Sequence, residues 1–189
     1  MHVVYGGAFN PPTKAHQKIP EILMRKLPIT KFTYLPVSTV YKKENLLANH
    51  HRYNMLQLMS EPMKNVGVSD LEINDRSFLG TYHTLKRLKQ GDEPLAFVIG
   101  SDHLKTLKTW IKADCLLKEF YCIVLNRNAL DMAAMVEKDA YLKAHKDKLI
   151  LCEDIDLPYA SSDYRTTKDA SLLPDVVNDY IKKHQLYEG

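Results

Sequence analysis

Two stretches of the chain carry residue types that could bind and polarise a phosphate. The first is Gly6-Gly7-Ala8-Phe9-Asn10-Pro11-Pro12-Thr13-Lys14-Ala15-His16. Adjacent glycines let a backbone turn sharply and approach an anion with no Cβ in the way. Asn10-Pro11-Pro12 keeps the chain extended, and Thr13 has the side chain of a helix N-cap. His16, three residues on, shares the side of Thr13 in the first helical turn. A helix N-terminus with a hydroxyl and an imidazole beside it suits a phosphate, although a Gly-Gly turn and a capping threonine also serve purely structural loops. The second stretch is Tyr159-Ala160-Ser161-Ser162-Asp163-Tyr164-Arg165. Pro158 and the serines mark a helix start with Ser161 or Ser162 as N-cap, and Arg165, one turn in, adds a forked donor of permanent charge. By itself this is equally an ordinary capped helix with a surface arginine. Two such starts in one chain reinforce each other.

Other chemistries lack their residues. Neither G-x-G-x-x-G nor G-x-x-x-x-G-K-[ST] occurs, so hydride transfer and P-loop hydrolysis have no motif behind them. His50-His51-Arg52 has no partner ligands at metal spacing and reads as a solvated helix start. No metal site made by the protein itself is expected. Lys138, Lys143, Lys146 and Lys148 alternate with acids, as on a solvated helix surface.

The elements that must position these stretches alternate along the chain. Short apolar runs predict strands at His2 to Tyr5, Lys31 to Leu35, Val66 to Asp70, Leu95 to Ile99, Phe120 to Leu125 and Leu149 to Cys152. Helices are expected near 14–27, 50–60, 81–90, 101–108, 112–118 and 131–145. The β-α repeat has the length of a βαβ unit, and strands apolar on both faces, such as Ala96-Phe97-Val98-Ile99, suit a parallel sheet covered by helices. The expectation is an α/β fold with a doubly wound parallel sheet, in a single domain over residues 1–189 with a C-terminal helical part at about 159–189. In such folds ligands bind at the carboxyl ends of the strands, where Gly6 and Gly100 stand. Pro20 falls inside the first helix and should bend or restart it. Pro174 to Tyr187 reads as an amphipathic helix with Val176, Val177, Tyr180 and Ile181 as its apolar stripe, docked back on the domain.

Composition bounds the class. The 189 residues suffice for a sizeable core, and seven glycines exclude collagen-like and low-complexity readings. A net charge of only +3 argues against a nucleic-acid coat. Three cysteines, without C-x-x-C, fit a reducing compartment, and Cys122 reads as a small buried hydrophobe. No apolar run approaches membrane length, and Met1-His2-Val3-Val4-Tyr5 leads straight into the glycines with no signal peptide between, so a cytoplasmic protein is expected.

The first stretch resembles the G-G-x-F-[DN]-P-x-[HT]-x-x-H motif of nucleotidyltransferases, and Tyr159 to Arg165 aligns without gaps on their I-S-S-T-x-I-R motif. More narrowly, the chain is similar from end to end to bacterial nicotinate-nucleotide adenylyltransferases. Supporting residues are Leu35-Pro36 with Lys42-Lys43; His51-Arg52 with Met55-Leu56; Val68-Ser69-Asp70 with Glu72; Thr81 with Thr84-Leu85; Ile99-Gly100-Ser101-Asp102 with Trp110; and Leu173-Pro174, Val177, Tyr180-Ile181, His184 and Leu186-Tyr187 at the end.

The resemblance implies a Rossmann-like fold and adenylyl transfer from ATP to nicotinate mononucleotide, giving deamido-NAD and pyrophosphate in NAD biosynthesis, with Mg2+ accompanying ATP. It implies that His16 donates to the α-phosphate, that Thr13 contacts ATP phosphates, and that Ser161, Ser162 and Arg165 hold the outgoing ones, with Lys42 neutralising charge. Gly6, Gly7, Ala8, Phe9, Gly100 and Asp102 would complete the ATP side. Asn10, Lys42, Thr81, Trp110, Asp102 and Arg127 would line the mononucleotide side. Thr13 stands where bacterial members usually have histidine, Leu79-Gly80-Thr81 replaces Ser-Tyr-Thr, His83 replaces an aspartate, and Ala160 replaces the first serine of the second motif. The preference for nicotinate over nicotinamide mononucleotide stays open, as does the oligomeric state, for which a homodimer is one expectation. Alternatives are another phosphorylated acceptor, such as pantetheine phosphate or glycerol phosphate, and a non-catalytic nucleotide sensor.

Overall fold

A computed structural model describes residues 1–41, 46–77, 79–127, 129–155, 157 and 160–188. Six strands form one sheet: β1 (His2–Gly7), β2 (Lys31–Pro36), β3 (Val66–Val68), β4 (Leu95–Gly100), β5 (Tyr121–Leu125) and β6 (Leu149–Cys152). Their order is β3-β2-β1-β4-β5-β6, with parallel pairing of β1 with β4, β2 with β3, β4 with β5 and β5 with β6. The doubly wound α/β expectation holds. Direction of winding reverses between β1 and β4, where Tyr5 lies opposite Val98, so the strand ends at Gly7 and Gly100 stand at the switch point.

The helices are α1 (Lys14–Lys26), α2 (Asn49–Ser60), α3 (Thr81–Leu88), α4 (Ala113–Glu119), α5 (Met132–Lys138), α6 (Ala140–Ala144), α7 (Ser161–Thr167) and α8 (Asp175–Lys183). The chain gathers into two compact units, residues 1–6 with 78–157 and residues 7–77 with 158–189. In the first unit the core is built on β4 and β5, whose Leu95, Ala96, Val98, Ile99, Ile123 and Val124 are buried on both faces, as a covered parallel sheet requires. In the second unit, Phe32, Tyr34 and Leu35 of β2 join Leu23 of α1 and Met55, Leu56 and Met59 of α2 in the core.

Three expectations are corrected by local chemistry. The helix placed at 101–108 is two 3-10 turns, Ser101–His103 and Leu107–Thr109. Thr106, between them, and Thr109, at the end of the second, turn their hydroxyls onto the His103 and Thr106 carbonyls, which competes with helical bonding. The helix placed at 131–145 breaks at Asp139, whose backbone is extended and whose carboxylate caps Tyr141 and Leu142. α8 docks on α2 through Tyr180, which meets His51 and Asn54. Its buried residues are Val177 and Ile181, joined by Leu173 ahead of the helix; Val176 is exposed.

Pro20 does not restart α1: the helix runs unbroken from Lys14 to Lys26. A proline has no N–H for the carbonyl four residues back, here His16. The Tyr34 hydroxyl of β2 donates to that oxygen instead, at 2.7 Å. No helix among the described residues is long and apolar enough to cross a membrane.

Candidate active site

In the second unit the glycine-led stretch and α7 build one polar cluster. β1 ends at Gly7, whose carbonyl accepts from the Val37 N–H at 3.0 Å. A Cβ at Gly7 would stand 3.1 Å from the Phe9 ring, so the close approach of that ring needs a glycine. Phe9, at φ 46°, turns in and is buried against His16 and Tyr34, edge to face with both. Thr13 then caps α1, as its residue type predicts.

The cap is also a tautomer lock. The Thr13 N–H donates to His16 Nδ1 at 2.9 Å, and the Thr13 hydroxyl lies 2.8 Å from the same nitrogen. A nitrogen that accepts from an amide carries no proton of its own, so in the neutral ring the proton sits on Nε2. Half-buried His16 is thus a fixed Nε2–H donor at the start of α1. Thr13 itself is 0% exposed.

The second stretch closes on the first. α7 has Ala160 as N-cap, not Ser161 or Ser162, because the Ser161 hydroxyl donates to the Pro11 carbonyl at 2.8 Å. Arg165 Nη1 donates to the Asn10 carbonyl at 2.7 Å. The Asn10 amide oxygen accepts from the Leu47 N–H at 3.2 Å and from the Tyr187 hydroxyl at 2.8 Å. Ser162 is exposed beside Asp163. Ser161 and Arg165 thus meet the carbonyls of Pro11 and Asn10, on the loop that leads into the Thr13–His16 pair. Lys42, Pro158 and Tyr159 lie outside the described residues.

Sequence reasoning missed the support beneath this loop. Arg52, read as part of a solvated helix start, is 0% exposed. Its Nε donates to Leu47 O at 2.8 Å, Nη1 to Ala8 O at 2.9 Å, and Nη2 to Val37 O and Asn49 Oδ1, both at 2.6 Å. Burial lowers its pKa to about 10, which leaves it a cation at neutral pH, held here by four neutral acceptors. His50 is exposed and His51 half-buried, so the solvated reading holds only for the first of the three. A signal was present: a helix-start arginine ahead of the apolar pair Met55-Leu56.

The first unit holds the other expected residues. At the end of β4 a Cβ on Gly100 would fall on the Asp102 carboxylate and 3.0 Å from Arg127 Nε. Arg127 Nη1 is 3.9 Å from Asp102 Oδ1, and the fully buried Ser101 hydroxyl accepts from the Arg127 N–H at 2.9 Å. Burial pushes the Tyr5 phenol above its usual range, and the charge of Arg127, with its hydrogen bond, partly offsets that. Half-buried Trp110 meets Phe97 and His103 edge to face. Thr81 opens α3 after Gly80, whose φ of 91° and 2.8 Å Cβ distance to the Ile111 Cβ explain why the larger residue of the family pattern is absent.

Comparison with known proteins places the chain in company. Residues 4–168 match the cytidylyltransferase-like family. A probable nicotinate-nucleotide adenylyltransferase of Acholeplasma laidlawii (strain PG-8A) is 35% identical over 191 residues, covering 100% of this chain and 98% of the relative. One of Clostridium botulinum (strain Eklund 17B / Type B) is 27% identical over 165 residues, covering 86% and 82%. Among solved structures, Plasmodium falciparum nicotinic acid mononucleotide adenylyltransferase complexed with NaAD superposes with a TM-score of 0.79 at 23% identity, over 99% of this chain and 97% of that one.

Proposed function

Since the chain belongs to the cytidylyltransferase-like family and, within it, to the nicotinate-nucleotide adenylyltransferases, we propose that it transfers the adenylyl group of ATP to nicotinate mononucleotide. A phosphate oxygen of the mononucleotide attacks the α-phosphorus of ATP. The new O–P bond forms as the bond to the β-phosphate oxygen breaks, and deamido-NAD and pyrophosphate leave. No side-chain nucleophile is required, so catalysis consists of alignment and of charge stabilisation on the transferring group.

The observation that carries this reading is the amide-fixed imidazole of His16. Its Nε2–H donates to a non-bridging oxygen of the α-phosphate, where negative charge grows in the transition state. Thr13, buried against Nδ1, acts through His16 by holding the ring. Arg165, one of whose donors anchors the Asn10 carbonyl, brings permanent charge to the same loop for the departing phosphates, with Ser161 and Ser162 beside it. The family resemblance would assign Asp102 to a ribose, Arg127 to the mononucleotide side, and Thr81 and Trp110 to the pyridine ring.

Magnesium accompanies ATP and neutralises its phosphate oxygens. Among the described residues no group of three His, Cys, Asp or Glu side chains is gathered. The proposed place of work is the reducing cytoplasm, where thiols such as those of the three cysteines stay reduced.

The test is dinucleotide formation from ATP, magnesium and each mononucleotide, followed by chromatography, with kcat/KM compared for nicotinate and nicotinamide forms. His16→Ala lowers kcat about 100-fold or more, the usual scale for one transition-state donor. Absence of dinucleotide from either mononucleotide would refute the proposal.

A further inference from the structure

Outside the reacting groups, one contact ties the catalytic helix to the sheet in an unusual way. His16 lies in the first turn of α1, and the residue whose amide would normally bond its carbonyl is Pro20. The pyrrolidine ring also crowds that carbonyl, which in an isolated helix tilts outward and kinks the axis. Here the oxygen is met by the hydroxyl of Tyr34, a residue 0% exposed in β2, at 2.7 Å. Phe9 fills the corner, with its ring centroid 5.1 Å from that of His16 and 5.6 Å from that of Tyr34.

We infer that Tyr34 is a positioning residue for the reaction: its hydroxyl supplies the donor that Pro20 withholds, and so fixes the His16 backbone while Thr13 fixes the His16 ring. The two anchors act on opposite ends of one residue. Thr13 reaches Nδ1 from the cap, and Tyr34 reaches the carbonyl from the sheet. An ordinary helical amide would satisfy the same carbonyl without joining α1 to β2. With Pro20 in place, the hydroxyl is the donor that keeps this carbonyl in the helical line, and a first turn held in that line sets where Nε2 stands; a restored amide at position 20 would hold it equally. Tyr34 reaches His16 and needs no contact with substrate, so it changes turnover more than binding.

This inference rests on His16 as the α-phosphate donor, and its test is built so that the two can fail separately. Three variants are compared with the wild type: Tyr34→Phe, Pro20→Ala, and both together. Tyr34→Phe keeps the ring and removes the donor; Pro20→Ala restores an amide that can bond the His16 carbonyl. Expected for Tyr34→Phe is a roughly tenfold fall in kcat with KM for ATP and for mononucleotide within twofold, as for a small misplacement of a reacting group. Pro20→Ala alone keeps wild-type turnover. The double variant regains most of the loss, and its residue-20 amide becomes protected from hydrogen exchange.

An activity-independent arm follows the His16 ring by 15N–1H correlation. The wild type and the double variant show one Nε2–H tautomer, and Tyr34→Phe shows a mixture or a broadened signal. An unchanged kcat and ring signal in Tyr34→Phe overturns the inference. So does a loss that the double variant does not recover, because the hydroxyl would then act through Tyr34's other contacts and not through this carbonyl. If Tyr34→Phe does not fold, the double variant decides alone: folded and active supports the inference, unfolded or inactive overturns it. A wild type that makes no dinucleotide removes the functional reading but leaves the spectroscopic arm standing.

Discussion

Replacing Arg52 with methionine tests the support beneath the phosphate loop. The side chain is of similar length and apolar, so the site stays filled while the guanidinium goes. Four hydrogen bonds disappear, and three of their acceptors are the carbonyls of Ala8, Val37 and Leu47, in three separate segments. Each buried acceptor left without a donor costs about 1–3 kcal/mol, which puts the gross loss at roughly 3–9 kcal/mol. Removing a buried charge returns part of that, because the guanidinium no longer has to be taken out of water. A net destabilisation of about 4 kcal/mol is expected, a large fraction of the roughly 5–15 kcal/mol that holds a domain together. For a chain of this size that lowers Tm by about 8–16 °C. Urea unfolding followed by circular dichroism gives the free energy, and a thermal scan gives Tm. Arg52→Lys keeps the charge but not the fork, and falls between the two. If Arg52→Met unfolds within about 1 kcal/mol of the wild type with an unchanged m-value, the claim that this cation organises the three segments is wrong.

Other consequences are open to direct measurement. Gly80→Ser destabilises the protein by about 1–3 kcal/mol, since φ 91° is strained for any L side chain and the new Cβ meets Ile111 at 2.8 Å; a wild-type Tm contradicts this. Of the three thiols, Cys115 alone reacts promptly with an alkylating reagent at pH 8, because Cys122 and Cys152 are buried and burial pushes the Cys122 pKa to about 12; mass spectrometry of timed samples reads the sites. Acidification weakens the fold through His51, which faces His50, His184 and the Tyr180 hydroxyl. Burial first, then the charges of His50 and His184, hold its pKa below 6.5 in the folded chain. The unfolded chain then binds the proton first, so stability is complete above pH 6.5, falls as pH drops below it, and levels off beneath the folded pKa. His51→Gln flattens that slope in urea titrations taken between pH 7 and 5.

The pattern of short apolar runs located all six strands, because strands buried on both faces must be apolar whatever surrounds them. The Thr13 cap of α1 and the start of α7 at Ser161 were legible for a similar reason: proline, serine and capping residues act locally. What escaped was decided at a distance. Arg52 is buried because carbonyls from residues 8, 37 and 47 converge on it, and no local pattern announces that convergence. Ser161 lost its capping role to the Pro11 carbonyl, 150 positions away. The break at Asp139 was local, yet two readings of an aspartate in a helical stretch compete, and the double amide capping settles which prevails. Pro20 was legible as a break but not as a repaired one, since the repair comes from another strand.

The bond from Tyr34 to the His16 carbonyl also constrains how this sequence can drift. With Pro20 in place, loss of the tyrosine hydroxyl removes the donor that meets this carbonyl, so that substitution is costly. Loss of the proline is open, because an amide then stands ready as an alternative donor, and only afterwards does position 34 become free to vary. The route has a direction: proline leaves first, tyrosine second. Among descendants of a common ancestor, chains keeping both residues and chains keeping the tyrosine alone should be frequent. Chains keeping the proline without a hydroxyl on β2 should be rare, and each of them should carry a substitute donor drawn from elsewhere.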